Sequence, residues 1–284
     1  MFTLKVDNGQ GITELTHDLK NYGVISIQGL TPTATTINTS IAGNIDGSFF
    51  NSARAEARNI VITVDLRGDI EGNRQRLYTL FPRKKEITLY FKNKNRDVKI
   101  TGWVETLEAD LFVQREQVQI SIICPRPYFQ SINSPVNLVN DVQALFEWPF
   151  SISADDPVEI SAQTSTAEYS YINAGDVETG AVFTLDIGGN VTGLTLTNNT
   201  TGAFIGFNYS FSSGDVVTID TIQGELSAKL LHNGTETNLL NYLSSGSTWV
   251  KLVSGVNVIS YSVSTGSADD VICYFTAPTL FGGV

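Results

Sequence analysis

The stretch Gly102–Phe129, GWVETLEADLFVQREQVQISIICPRPYF, decides the fold. Val118, Ile120 and Ile122 alternate with Gln117, Gln119 and Ser121, the period-two pattern of a strand with one buried face. The strand stops at Cys124-Pro125-Arg126-Pro127, because proline offers no N–H to a ladder and restricts the residue before it. Tyr128 and Phe129 follow as a bulky anchor, and after them the composition changes for the rest of the chain. The segment therefore ends one domain, residues 1–130, and opens a second, residues 131–284.

Working outward toward the N-terminus, Ile60, Ile62, Val64 and Leu66 share one face of a strand over 59–67, and Ile87, Leu89 and Phe91 repeat the device over 86–91. Between them, Asp69 and Glu71 suit the positive end of a helix dipole. Leu77, Leu80 and Phe81 form an i, i+3, i+4 stripe, and Pro82 stops the run. The spacing predicts a helix over 71–81. Lys92–Lys99, KNKNRDVK, reads as the tip of a hairpin rich in basic residues. No aromatic side chains interleave it, so a partner-facing or solvated tip is favoured over nucleic-acid binding. Lys92, Lys94 and Arg96 are the candidate subunit-contact residues.

Beyond residue 131 the pattern becomes short period-two strands, among them Phe183-Leu185-Ile187, Leu194-Leu196, Val217-Ile219, Ile259-Tyr261-Val263 and Ile272-Tyr274. Gly188-Gly189, Ser213-Gly214-Asp215 and Asn233-Gly234 mark tight turns. No useful helical period appears. The expectation is a mainly β protein: a β-sandwich-like N-terminal domain with one helix and a hairpin, then an antiparallel β-sandwich.

The 284 residues carry 18 Lys+Arg and 29 Asp+Glu, a formal charge of −11, and the asymmetry is strong. Only Lys229 and Lys251 supply cations after residue 130, so the second domain should repel nucleic acid. Cys124 and Cys273 lie in different halves with no Cys/His cluster, which fits free thiols and argues against zinc or redox chemistry. No apolar run reaches bilayer-spanning length, and the segment MFTLKVDNGQG reads as a strand without a signal region. The Asn-x-Ser/Thr sites at Asn38, Asn199, Asn208 and Asn233 read as turn chemistry.

The sequence contains no phosphate-binding loop, nucleophile elbow or zinc-protease motif. His17 and His232 each stand alone in polar, turn-like surroundings. Asp155-Asp156 and Asp269-Asp270 are adjacent pairs, and adjacent strand residues face opposite ways. No enzyme, metal or cofactor is expected. Tyr242, Trp249 and Tyr261 could stack on a sugar face, although large aromatics in a sandwich are more often core. Trp249 and Tyr242 are the candidate carbohydrate contacts: exposed beside a shallow groove in a sugar binder, buried in a spacer.

Several segments resemble the distal tail proteins of long non-contractile-tailed bacteriophages. Ser40–Gly68, with its Asp46-Gly47-Ser48 turn, Arg58 and alternating aliphatics, is similar to a family segment. So are the helix Asn73–Lys84, NRQRLYTLFPRK, and the closing CPRPYF. In the second half, Leu194–Glu225, with TNNTTGAFI and GDVVTIDTIQG, and Leu243–Val263, with TWVKLVSGVNVI, follow the pattern of the family's second domain. Thr248 stands where an aromatic is common, and the basic run often found before Gly282-Gly283-Val284 is missing. The resemblance implies a non-enzymatic homohexameric ring at the virion tail tip, assembled in the host bacterial cytoplasm. The first domains would form the ring between the tail tube protein and a tail-associated cap or lysin protein, and galectin-like or carbohydrate-module-like second domains would project outward. It further implies possible contacts with receptor-binding proteins. The alternative is a carbohydrate-binding module recognising the host cell wall.

Overall fold

The computed structural model describes the chain except residues 1, 17–19, 42, 44–45, 112, 114, 140, 145–160 and 165–167; of 141–144 and 161–164 only the backbone is described. His17, Asp155 and Asp156 therefore lie outside the described residues. Two compact units emerge: unit 1 is Met1–Ile132 with Leu280–Val284, and unit 2 is Asn133–Thr279.

Unit 1 contains β1 (Thr3–Asp7), β2 (Ile12–Glu14), β3 (Tyr22–Gln28), β4 (Thr35–Ser40), β5 (Phe49–Ala55), β6 (Arg58–Leu66), α1 (Ile70–Leu80), β7 (Glu86–Lys92), β8 (Asp97–Ala109), β9 (Gln117–Cys124) and β10 (Phe129–Ser131). The main sheet runs β2-β1-β7-β8-β9-β6-β3, with antiparallel pairing throughout. Its buried face is the one the alternation marks: Ile60, Ile62, Val64 and Leu66 on β6, Ile87, Leu89 and Phe91 on β7, and Val118, Ile120 and Ile122 on β9. Gly102 is the position in β8 where no side chain fits. A Cβ there would lie 2.7 Å from Cys124 Sγ and 2.8 Å from an Ile122 methyl.

Helix α1 starts one residue earlier than the spacing predicts. Asp69 is its N-cap, accepting from Gly72 N at 3.1 Å, and Phe81 closes it. Leu77, Leu80 and Phe81 all enter the core. Asp65 is a buried acid on β6. It accepts a bidentate pair from Arg115 (Nε and Nη2, both 3.0 Å) and one bond from Arg67 Nε at 3.3 Å. Arg115's donation, and Arg67's after it, hold the Asp65 carboxyl below the usual carboxylate range.

In unit 2 the strands are β11 (Val136–Leu138), β12 (Asp141–Ala144), β13 (Ser161–Thr164), β14 (Tyr169–Asn173), β15 (Val182–Ile187), β16 (Val191–Thr192), β17 (Thr195–Asn198), β18 (Ala203–Gly206), β19 (Ser210–Phe211), β20 (Val216–Asp220), β21 (Ser227–His232), β22 (Thr235–Asn238), β23 (Gly255–Ser262) and β24 (Val271–Thr276). One sheet runs β11-β24-β15-β20-β21-β22 and a second runs β14-β23-β17-β18. A common core joins residues of both, including Phe183, Leu185, Val217, Ile219, Leu196 and Ile259. Phe275 centres it, with rings of Tyr171 and Phe183 both at 5.2 Å. On β24 the buried side is Val271, Cys273 and Phe275, so Ile272 and Tyr274 occupy the outer face. Asn233 (φ 46°) and Gly234 (φ 79°) form the β21–β22 turn, both in the left-handed region that such a turn requires. Asp269 and Asp270 sit in a 3₁₀ turn capped by Ser267 rather than on a strand.

A last strand, β25 (Leu280–Phe281), returns to unit 1 and pairs with β10 through Phe129↔Phe281 and Gln130↔Leu280. The first unit is thus discontinuous, whereas the sequence division assigns residues 280–284 to the second domain. A two-residue strand has no readable period, and its partner lies about half the chain away. Both cysteines are free and buried. Burial pushes the Cys124 thiol up to about 12, and that of Cys273 also rises. Among the described residues no helix is long and apolar enough to cross a membrane.

Asp65 makes the acid side of stability testable. A carboxyl with a lowered folded pKa stabilises fully above its unfolded value, about 4, and loses that contribution as pH falls through the folded value. Arg115→Ala should move the acid loss of unit 1 stability to higher pH. Urea midpoints recorded between pH 2 and 7 check this; superimposable profiles for the two proteins would contradict it.

Candidate assembly interface

Strands β4 and β5 form a two-stranded ribbon that pairs with no other strand among the described residues. Its side chains are exposed on both faces, including Ile37 (61%), Phe49 and Phe50 (67%). Cross-strand polar pairs hold it: Asn38 Nδ2 donates to Ser52 Oγ at 3.0 Å, and Ser40 Oγ to Asn51 Oδ1 at 3.2 Å. At its base Thr36 bonds Glu56, which also lies 3.6 Å from Arg54. An isolated two-stranded ribbon is marginal in water, and both its edges present unpaired main-chain groups. Sequence reasoning missed this element. Thr, Asn and Ser occupy both faces of β4, so period two has nothing to contrast. The available signal was the β-branched run Thr35-Thr36-Ile37 and the Phe49-Phe50 pair on either side of the Asp46-Gly47 turn.

The basic tip is tighter than expected. The turn is Asn93–Arg96, with Asn93 Oδ1 accepting from Asn95 N and Arg96 N, each at 2.8 Å. Lys92 is paired with Asp97 at 2.6 Å. Arg96 turns inward: its guanidinium lies 4.4 Å from the Phe281 ring centroid and donates to Gly283 O. Of the three predicted contact residues, Lys94 alone points to solvent without a recorded bond, and Arg96 works inside its own chain.

In unit 2, Tyr242 is exposed (41%) on a 3₁₀ turn, its ring edge-on to Tyr209 at 4.8 Å. Trp249 is half-buried against the core. The two predicted sugar contacts therefore divide, one to the surface and one to the packing. His232 Nδ1 lies 2.5 Å from Oδ1 of buried Asp215, while Asn233 Nδ2 sits 3.0 Å from Nε2. Asp215 also caps its own turn by accepting from Ser212 N at 2.9 Å. Both ring nitrogens are thus engaged, and the Nε2 position that a catalytic base would turn to a nucleophile is held by an amide. Among the described residues no His, Cys, Asp or Glu cluster could hold a metal ion.

The described residues thus form two units of antiparallel strands with exposed sheet edges. Residues 174–277 match the siphovirus-type tail component, C-terminal domain. The match covers most of unit 2. The whole chain shares its fold with the Dit protein of phage SPP1, described as a paradigm of the hub adsorption apparatus in phages infecting Gram-positive hosts: TM-score 0.66, 15% identity, 99% of each chain covered. A chain of the phage P2 baseplate in its activated conformation is similar over 98% of each chain, with a TM-score of 0.50 and 9% identity. No curated protein matches.

The contrast between the two aromatics predicts distinct outcomes. Trp249→Ala should cost unit 2 about 3 kcal/mol, as large-to-small changes against a core do, and Tyr242→Ala less than about 1 kcal/mol. Chemical denaturation of both variants checks the order, and a reversal would refute the packing assignment.

Proposed function

We propose that this protein is a structural component of a phage tail tip, in which copies of unit 1 close into a homohexameric ring joining the tail tube to the tail-associated cap protein. The observation that carries the reading is that the fold match to a tail hub extends over 99% of both chains, unit 1 included. A closed ring needs heterologous contact, one surface meeting a different one on the next copy. The β4–β5 ribbon suits one half of that contact. Its exposed Ile37, Phe49 and Phe50 are apolar area that a neighbour would bury, and its edges can add strands. The main sheet ends in β2 and β3, with exposed Ile12 and Ile25, and these edges suit the other half. Unit 1 carries nearly balanced charge, which limits repulsion between packed copies.

Light scattering and negative-stain microscopy of the full chain should find rings. Ile37→Asp with Phe50→Ser should return them to monomers that melt no earlier, since both side chains are exposed. Lys94→Glu should weaken the ring in a manner that added salt removes, as for exposed charges. A chain that stays monomeric at every concentration, with tube and cap proteins added, would sink the reading.

The exposure of Tyr242 supports a second reading, a contact of unit 2 with cell-wall carbohydrate. Titration calorimetry with purified wall polysaccharide should then give heat that Tyr242→Ala abolishes. The absence of heat with the intact chain would leave unit 2 a docking surface for tail proteins.

A further inference from the structure

We infer that unit 1 contains a preformed peptide-binding cleft, specific for an extended segment with an aromatic residue and, two positions on, a glycine, and that residues 280–284 are its tethered ligand. The cleft is made by Arg58, Arg96, the edge of β10 and the segment Gly29–Pro32. Leu280 and Phe281 add to β10 as a strand. Arg58 Nη2 donates to Gly282 O at 2.6 Å, Arg96 donates to Gly283 O, and Val284 N donates to Leu30 O at 3.0 Å. These are main-chain contacts, the mode by which sheets capture extended peptides.

Specificity comes from two positions. The Phe281 ring lies beneath the Arg96 guanidinium, opposite Phe129. At Gly283 a side chain would be tight: its Cβ would stand 3.0 Å from Leu30 O and 3.3 Å from Pro32 Cδ, so the Leu30–Pro32 segment would have to give way.

The receptor half is placed without the ligand. Arg58 Nε donates to Pro127 O at 2.6 Å, and Nη1 donates to Thr31 O at 2.7 Å and to Gly29 O. Its guanidinium also lies 4.4 Å from the Phe129 ring centroid. Only the Nη2 bond goes to the segment. Arg96 is likewise fixed through its main chain by Asn93. Removing residues 280–284 therefore leaves Arg58 Nη2 aimed at an acceptor that is no longer there, and an unanswered donor is costly when buried. Because the ligand follows unit 2 in sequence, unit 1 is completed only after the whole of unit 2 has been synthesised.

The test uses the full chain, a chain lacking residues 280–284, and the peptide APTLFGGV. Hydrogen exchange should show the truncated chain losing protection around Leu30 and at Phe129–Ser131, while β15 and β20 in unit 2 keep theirs. Its unit 1 melting point should fall by about 5 °C or more. Millimolar peptide should restore both, and a peptide carrying Phe281→Ala and Gly283→Val should restore neither. Should the truncated chain fail to fold, Gly283→Val in the full chain provides the measurement, with protection lost at the same amides. Unchanged exchange in that variant, unchanged exchange and melting in a folded truncated chain, or a loss that saturating peptide leaves uncorrected would each overturn the inference.

Discussion

Arg58 is a buried cation without a carboxylate partner among its recorded bonds, and unit 1 is organised around it. The residue is 1% exposed. Burying an ion costs several kcal/mol unless its hydrogen bonds are answered. Here they are answered by main-chain carbonyls of Gly29, Thr31, Pro127 and Gly282, together with the face of Phe129. Burial lowers its pKa, but from a value so high that the charge persists. Because the fork is planar and rigid, the acceptors must come to it. Gly29 comes close enough that a Cβ would stand 2.1 Å from Asn59 O, and its φ of 83° suits glycine. The CPRPYF turn is held the same way, through Pro127 O and the Phe129 ring. Loss of this side chain would free three segments at once, around Gly29–Thr31, Pro127–Phe129 and Gly282.

Unit 2 solves the same problem with amides. Residues 250–255 run beside the sheets with few ladder bonds, and three buried asparagines hold them. Asn198 Nδ2 donates to Lys251 O at 2.8 Å and to Asn257 Oδ1 at 3.0 Å. Asn257 binds both the N–H and the carbonyl of Val253. Asn173 Nδ2 reaches Leu252 O and Val177 O, each at 3.1 Å. Networks of this kind stabilise only when every member is satisfied, and among the described residues no buried side-chain polar atom lacks a partner.

These two devices mark the boundary of what could be read in advance. Strands β6, β7 and β9 and helix α1 were legible because each has one apolar face, and periodicity reports that directly. The motifs around Asn198 and Asn257 were visible as patterns, but their work, pinning an irregular loop, is a three-dimensional fact. Arg58 stood out only as part of a family-like segment, and its work was not legible, since nothing local distinguishes a guanidinium whose acceptor lies 224 residues away. The ribbon was hidden because neither of its faces is buried, and the contacts of Arg96 with Phe281 and Gly283 were not legible because charge at a hairpin tip usually faces outward. Tyr242 and Trp249 share a composition signal and differ only in packing, which alternation cannot weigh.

The main-chain character of these contacts also bears on how far such a fold can drift. At 15% identity the chain still superposes on the SPP1 protein along 99% of its length. A contact from a side chain to a carbonyl constrains one residue, because every partner residue supplies the same oxygen. A contact between two side chains constrains both. Holding irregular segments by Arg58, Asn173, Asn198 and Asn257 leaves most of the residues they touch free to change, subject to small size at Gly29 and Gly283. Strand cores need only apolar volume on one face. A surface such as the β4–β5 ribbon, whose exposed side chains answer to no partner strand within the described chain, is then limited chiefly by whatever it docks against.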